Sequence, residues 1–155
     1  MNNSIKKTLS ILLLAALLSA AFAAAGCSKY KRHTLSYFSA GFTWELTPEQ
    51  AKEYLDETNS AGETAVIEKN NDGVTVATTR TIFRFDAEGK MYAAISILGQ
   101  PNGAVEMISS WFGRYDKKNR DPESYIWYGK MNEHNAKATL RMEDGNWMIE
   151  FNPED

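Results

Sequence analysis

Apolar and polar positions alternate along most of this chain, and turn signals interrupt the alternation at short intervals. Residues 64–69, 74–86 and 90–98 each alternate, and they are separated by Asn71-Asp72-Gly73 and Ala87-Glu88-Gly89. This predicts three antiparallel strands joined by tight turns. A second set follows at 125–128, 136–143 and 146–151, with Asp144-Gly145 as its last turn. Ahead of the first set, residues 33–44 mix aromatic and small side chains, which predicts an opening strand bent at Ala40-Gly41.

Two segments carry a helical period instead. Thr47-Pro48-Glu49-Gln50 combines an N-cap residue, a proline at the first helical position and a glutamine three residues after the cap. That is a capping box. Ala51, Tyr54 and Leu55 then mark one face, and Asn59 and Gly62 are stop signals. After the break at 99–103, Val105, Ile108, Phe112 and Tyr115 share one side of a helix over 103–116. Lys117 and Lys118 suit its C-terminal end, where cations complement the dipole.

The expected fold is therefore α+β, an antiparallel sheet with two helices on one face. The final hairpins of the two sets align: Phe83-Arg84-Phe85 with its Glu88-Gly89 turn and Met91, against Leu140-Arg141-Met142 with its Asp144-Gly145 turn and Trp147. Two helix-plus-three-strand repeats, 34–99 and 103–155, are one reading of this order. Chance similarity of two hairpins is the other, because an acidic-glycine turn between alternating strands is common.

Strand parity assigns the core. Phe83 and Phe85 share a face, as do Met91, Ala93, Ile95 and Ile97, then Leu140 and Met142, then Trp147, Ile149 and Phe151. These are expected under the helices. Arg80, Ile82, Arg84, Tyr92, Arg141 and Met148 take the opposite parity, and residues 125–128 are apolar on both faces.

The first residues change the picture. Lys6 and Lys7 precede an apolar run over 9–25, which leads through Ala24-Ala25 into Gly26-Cys27-Ser28. The run is short for a spanning helix, which needs about 20 residues, and has the anatomy of an export signal. Ala25-Gly26-Cys27 resembles the bacterial lipobox, although Ala24 stands where leucine is usual. The rival is ordinary signal cleavage after Ala21-Phe22-Ala23, which would leave a free thiol. The resemblance implies cleavage before Cys27, the only cysteine, and its acylation. The chain then divides into a signal peptide at 1–26, a lipidated basic tether at 27–33 and one domain at 34–155. The implied address is extracytoplasmic: the outer membrane in a two-membrane bacterium, or the outer face of the cell membrane in a one-membrane bacterium. Two acyl chains suffice for stable anchoring. Lys29, Lys31, Arg32 and His33 are read as a solvated tether, with attraction to anionic head groups as the alternative.

Composition narrows the functional classes. The chain has 17 Lys+Arg against 20 Asp+Glu, and losing Lys6 and Lys7 makes the mature part more acidic still. Nucleic-acid binding, which rests on basic surface, is not expected. No sequence motif for nucleophilic catalysis or phosphate binding occurs. His33 is assigned to the tether and His134 to a polar stretch between strands. The carboxylate pairs Asp116/Asp121 and Glu143/Asp144 are read as solvated surface. Residues 68–73 begin like a calcium loop, but Thr79 stands where a bidentate glutamate is required, so they are read as a hairpin turn. No cofactor, metal or catalytic residue is expected.

With a helix followed by antiparallel strands occurring twice behind a lipobox, the chain resembles the β-lactamase-inhibitor-protein-like folds. The Thr47 helix start and Phe112-Gly113 after the second helix carry this resemblance. The family's Gly-Met-Thr helix entry is replaced by Leu46-Thr47-Pro48, and no functional residue is carried over. Such folds occur in envelope-assembly lipoproteins and in secreted enzyme inhibitors.

The leading expectation is a non-catalytic lipoprotein that binds another envelope protein through the sheet face away from the helices. Arg80, Arg84, Tyr92, Trp127 and Arg141 are the expected contacts, since arginine and large aromatics are enriched at interface hot spots. The alternatives are an inhibitor of a secreted or envelope-attacking hydrolase, using the same face, and a small-ligand-binding domain. The last requires a concave pocket with convergent polar groups.

Overall fold

The structure is a computed structural model that describes residues 33–59 and 62–154. Cys27, with the signal and the lipidation it implies, lies outside the described residues. Nine strands form one sheet: β1 (His33–Thr34), β2 (Val66–Asn70), β3 (Gly73–Ala77), β4 (Thr81–Phe85), β5 (Met91–Gly99), β6 (Lys117–Arg120), β7 (Glu123–Met131), β8 (His134–Glu143) and β9 (Asn146–Pro153). The two described helices are α1 (Pro48–Thr58), of 11 residues, and α2 (Ala104–Phe112), of 9 residues.

This overturns the expected α+β arrangement of two helices on an antiparallel sheet. The molecule is mostly β, and the sheet is mixed, because β1 runs parallel to β7. The spatial order is β1-β7-β8-β9-β5-β4-β3-β2, with β6 also on β7. Every other neighbouring pair is antiparallel. The β5–β9 pair is the centre of this order. From it, β4, β3 and β2 extend to one side and β8, β7 and β6 to the other. Each helix is thus followed by four strands, where the sequence pattern predicts three.

Two local features account for the extra strands. The run 74–86 is cut into β3 and β4 by a turn in which Thr78 Oγ1 accepts from the backbone N–H groups of Arg80 and Thr81. Such a side-chain cap offers the backbone an alternative to the ladder. In the second half, α2 stops at Phe112, because Gly113 leaves helical geometry at φ 86°. Lys117 and Lys118 therefore lie in β6, paired with Ile126 and Tyr125, and not at a helix end.

The capping box forms as its sequence implies. Thr47 Oγ1 accepts from the Gln50 N–H, and Gln50 Oε1 accepts from the Thr47 N–H. Ala51, Tyr54 and Leu55 of α1 and Ala104, Ile108 and Phe112 of α2 join one core with Phe83, Phe85, Trp127, Leu140, Ile149 and Phe151. Phe42, Phe38 and Tyr37, from the segment before α1, add a cluster of ring contacts over that core.

A bulge changes the expected parity of β5. Arg84 pairs with Ala93 but Phe85 pairs with Met91, so Tyr92 is the extra residue. An unpaired residue flips the alternation beyond it. Ala94 and Ser96 consequently join Met91 on the helix side, opposite Phe83 and Thr81. Ala93, Ile95 and Ile97 turn to the other face. Met142, expected in the core, stands 55% exposed at the end of β8.

Candidate functional site

A concavity lies on the helix side, where α2, the end of α1, the β3–β4 turn and the end of β5 meet. Its volume is about 410 Å³, within the range of small-molecule sites. Tyr37 and Trp111 form an aromatic wall, with ring centroids 5.9 Å apart and planes at 55°. Leu55, Ile97, Leu98, Pro101 and Met107 supply the rest of the apolar lining. Polar groups come from the turn and strands, with Thr78, Arg80, Thr81 and Ser96, and from the end of α1, with Thr58 and Asn59.

Ser96 is on the floor, buried at 8% exposure, and faces the helices because of the bulge at Tyr92. Its Oγ accepts from the Tyr37 phenol at 2.9 Å. Burial raises the Tyr37 phenol above its ordinary value, and the bond to Ser96 pulls the other way. Tyr37 is thus a neutral donor at physiological pH. The serine's own proton has no acceptor among the described residues.

Arg80 is held by its backbone and not by its side chain. Its N–H donates to Thr78 Oγ1, and its carbonyl accepts from the Ile97 N–H at 2.8 Å. Its exposed guanidinium makes no hydrogen bond or ion pair among the described residues. Nearby Glu63 accepts from both the hydroxyl and the N–H of Thr79. Those bonds, followed by the pull of Arg80, hold the Glu63 carboxyl below its usual range. Trp111 is 54% exposed, unusual for so large an apolar side chain, and it lines the cleft.

The residues expected to form one partner face are dispersed. Trp127 is fully buried, and its Nε1–H donates to the Gly113 carbonyl at 2.8 Å. It belongs to the core and cannot be a surface contact, because its strand is apolar on both faces and Trp127 takes the inner one. Arg80 lies in the cleft, in a turn that the alternation had absorbed into a strand. Arg141 is on the face away from the helices, bonded to Glu143 at 3.0 Å and to Glu150 at 2.6 Å. Arg84 is on that same face and exposed, and Tyr92 is 46% exposed at the bulge. Arg84 and Arg141 are brought together on either side of Glu150, whose carboxylate feels both, and Asn152 bridges Glu150 to the Tyr92 carbonyl.

His33, assigned to the tether from sequence, is instead in β1 and largely buried. Its Nδ1 lies 2.6 Å from the Phe112 carbonyl and its Nε2 3.1 Å from Asp116 Oδ2. Asp116 in turn accepts from the Tyr128 N–H, so it is not simple solvated surface. Where β5 and β8 begin, a second hollow of about 380 Å³ is lined by residues that include Trp44, Lys90, His134 and Pro153, with His134 Nε2 2.8 Å from Glu45 Oε1. Residues 68–73 form the β2–β3 hairpin, where Asn70 Oδ1 accepts from the Asp72 N–H.

Missed from sequence were Tyr37, Ser96 and Trp111. Trp111 alone left a trace, as a bulky aromatic off the buried stripe of α2. Comparison with protein-family models, curated proteins and solved structures finds no match, so the chemistry of the site rests on its geometry.

Proposed function

We propose that this protein is a lipid-anchored, extracytoplasmic binding domain that takes a small ligand in the cleft between its two helices. The observation that carries the reading is the convergence there of an exposed Trp111, an Arg80 guanidinium without a hydrogen bond or ion pair among the described residues, and the Tyr37–Ser96 pair. A ligand-sized hollow with few placed polar groups on an apolar wall is the ordinary form of a binding site. Ala25-Gly26-Cys27 behind its apolar run supports the anchoring, and the envelope address follows from it. The site reads as binding and not as catalysis: the Tyr37 phenol donates to Ser96, which leaves the serine unpolarised as a nucleophile.

An NMR titration tests this. The isotope-labelled full chain, in detergent, is exposed to a mixed set of small sugars, carboxylates and aromatic compounds. Shifts are expected at the Trp111 indole N–H and at the backbone amides of Thr81 and Ile97. Shifts confined to Arg84 and Tyr92 would replace the cleft with the opposite face, as a protein-binding reading requires. Absence of any localised shift would overturn the ligand reading altogether.

A further inference from the structure

Resting on the cleft as a binding site, we infer that its ligand is an acidic saccharide unit: a sugar ring bearing a carboxylate. Three observations define the class. Among the described residues, Arg80 is the one charged residue lining the cleft, and its guanidinium makes no hydrogen bond or ion pair there, acting on Glu63 by electrostatic attraction alone. An unpaired guanidinium matches a carboxylate in charge and in planar fork geometry. Glu63 offsets some of this charge, but its carboxylate is taken up by two bonds from Thr79 and it does not itself line the cleft.

The second observation is the aromatic wall. Trp111 is more than half exposed and inclined against Tyr37, so a flat ligand face can lie on it. A saccharide ring and an aromatic ring both meet that requirement.

The third separates them. Ser96 on the floor retains a proton without an acceptor, and the Thr81 hydroxyl makes no hydrogen bond among the described residues. A purely apolar ring seated over them would strip their water and return nothing, which carries a desolvation cost. A ring edged with hydroxyls satisfies both. The cleft holds roughly fourteen water volumes at about 30 Å³ each, enough for one such sugar unit with its acid group and not for a long chain. A longer glycan would leave through the open side.

The test uses the full chain in detergent and three probes: glucuronate, glucose and benzoate. Binding is read from the Trp111 indole N–H shift. Glucuronate should bind at least about tenfold more tightly than glucose, the ratio expected of one charge-assisted contact, and more tightly than benzoate. Arg80→Gln, at an exposed position, should bring glucuronate down to the level of glucose. Trp111→Ala, followed at the Thr81 amide, should weaken both sugars.

Equal binding of glucose and glucuronate would remove the acid from the class, and tighter binding of benzoate would remove the saccharide. Either result overturns this inference while the shift at Trp111 keeps the cleft as a binding site. If none of the three binds but other compounds of the mixed set still move Trp111, the ligand class alone is wrong. If nothing moves it, the cleft reading falls as well.

Discussion

Arg141 Nη1 donates to Glu150 Oε2 at 2.6 Å across the β8–β9 pair, on the sheet face away from the helices. Glu150 also accepts from Asn152 Nδ2 and pairs across the central seam with Ile95. Burial pushes its carboxyl up, but the hydrogen bonds from Asn152 and Arg141, with the attraction of Arg141 and Arg84, outweigh this and leave it below its ordinary value. A carboxyl depressed by folding contributes stability above its unfolded pKa and loses it as pH falls through the folded one. Glu150→Gln should therefore cost about 1 kcal/mol at neutral pH, a modest figure because the pair is partly exposed. The gap to the wild type should close in acid, below about pH 4. Urea denaturation of both proteins across pH checks this, and a gap independent of pH would show that the ion pair contributes nothing.

Trp127 fills the core between Phe112 and Tyr115, with ring centroids 6.2 Å from each. Trp127→Ala should destabilise the domain by about 3–5 kcal/mol, the usual range for emptying a large aromatic site. Trp127→Phe keeps most of the volume but leaves the Gly113 carbonyl without its donor, for a loss of about 1–3 kcal/mol. Denaturant midpoints give both values. A Trp127→Ala protein as stable as the wild type would return this residue to the surface.

Thr47→Ala removes one half of the capping box and should cost about 1 kcal/mol. The effect should appear as faster amide exchange in the first turn of α1 as well as in the global midpoint. Exchange at Asn59, whose N–H is bonded to the Leu55 carbonyl at the far end, should change only with global stability. Uniform acceleration along the helix would mean that the cap does not act locally.

What was legible in the sequence was local. The Thr47 box and the Asp144-Gly145 turn are written in adjacent residues, and both residues of that turn hold the positive φ it needs. What was not legible depends on distant partners. Nothing in residues 90–98 marks Tyr92 as unpaired, because the bulge exists only against β4; one missed residue then moved Ile95 and Ile97 to the wrong face and hid Ser96. The cleft was invisible for a related reason. Tyr37, Arg80, Ser96 and Trp111 come from four separate segments, and only the packing of α2 against the sheet assembles them. The alternation of 74–86 gives Arg80 strand parity, since the Thr78 cap that makes its turn resembles an ordinary β-rich run. His33 was misplaced because parallel pairing of β1 with β7 joins residues nearly a hundred positions apart.

That pairing rests on one missing side chain. A Cβ at Gly129 would lie 2.3 Å from the His33 carbonyl oxygen and 2.9 Å from its carbon. These are backbone atoms that cannot swing aside, so glycine is required for β1 to approach. Gly129→Ala should push β1 off the sheet edge. The Leu35 N–H would lose the Lys130 carbonyl that now accepts it at 2.8 Å, and the His33 ring would leave Phe112 and Asp116. The expected cost is about 1–3 kcal/mol, as for other overpacked sites. Hydrogen exchange at Leu35 should accelerate well beyond that at Ile149, which lies at the centre of the sheet. Alanine ordinarily favours a strand over glycine, so an unchanged or slower exchange at Leu35 would mean that β1 is not docked at this edge.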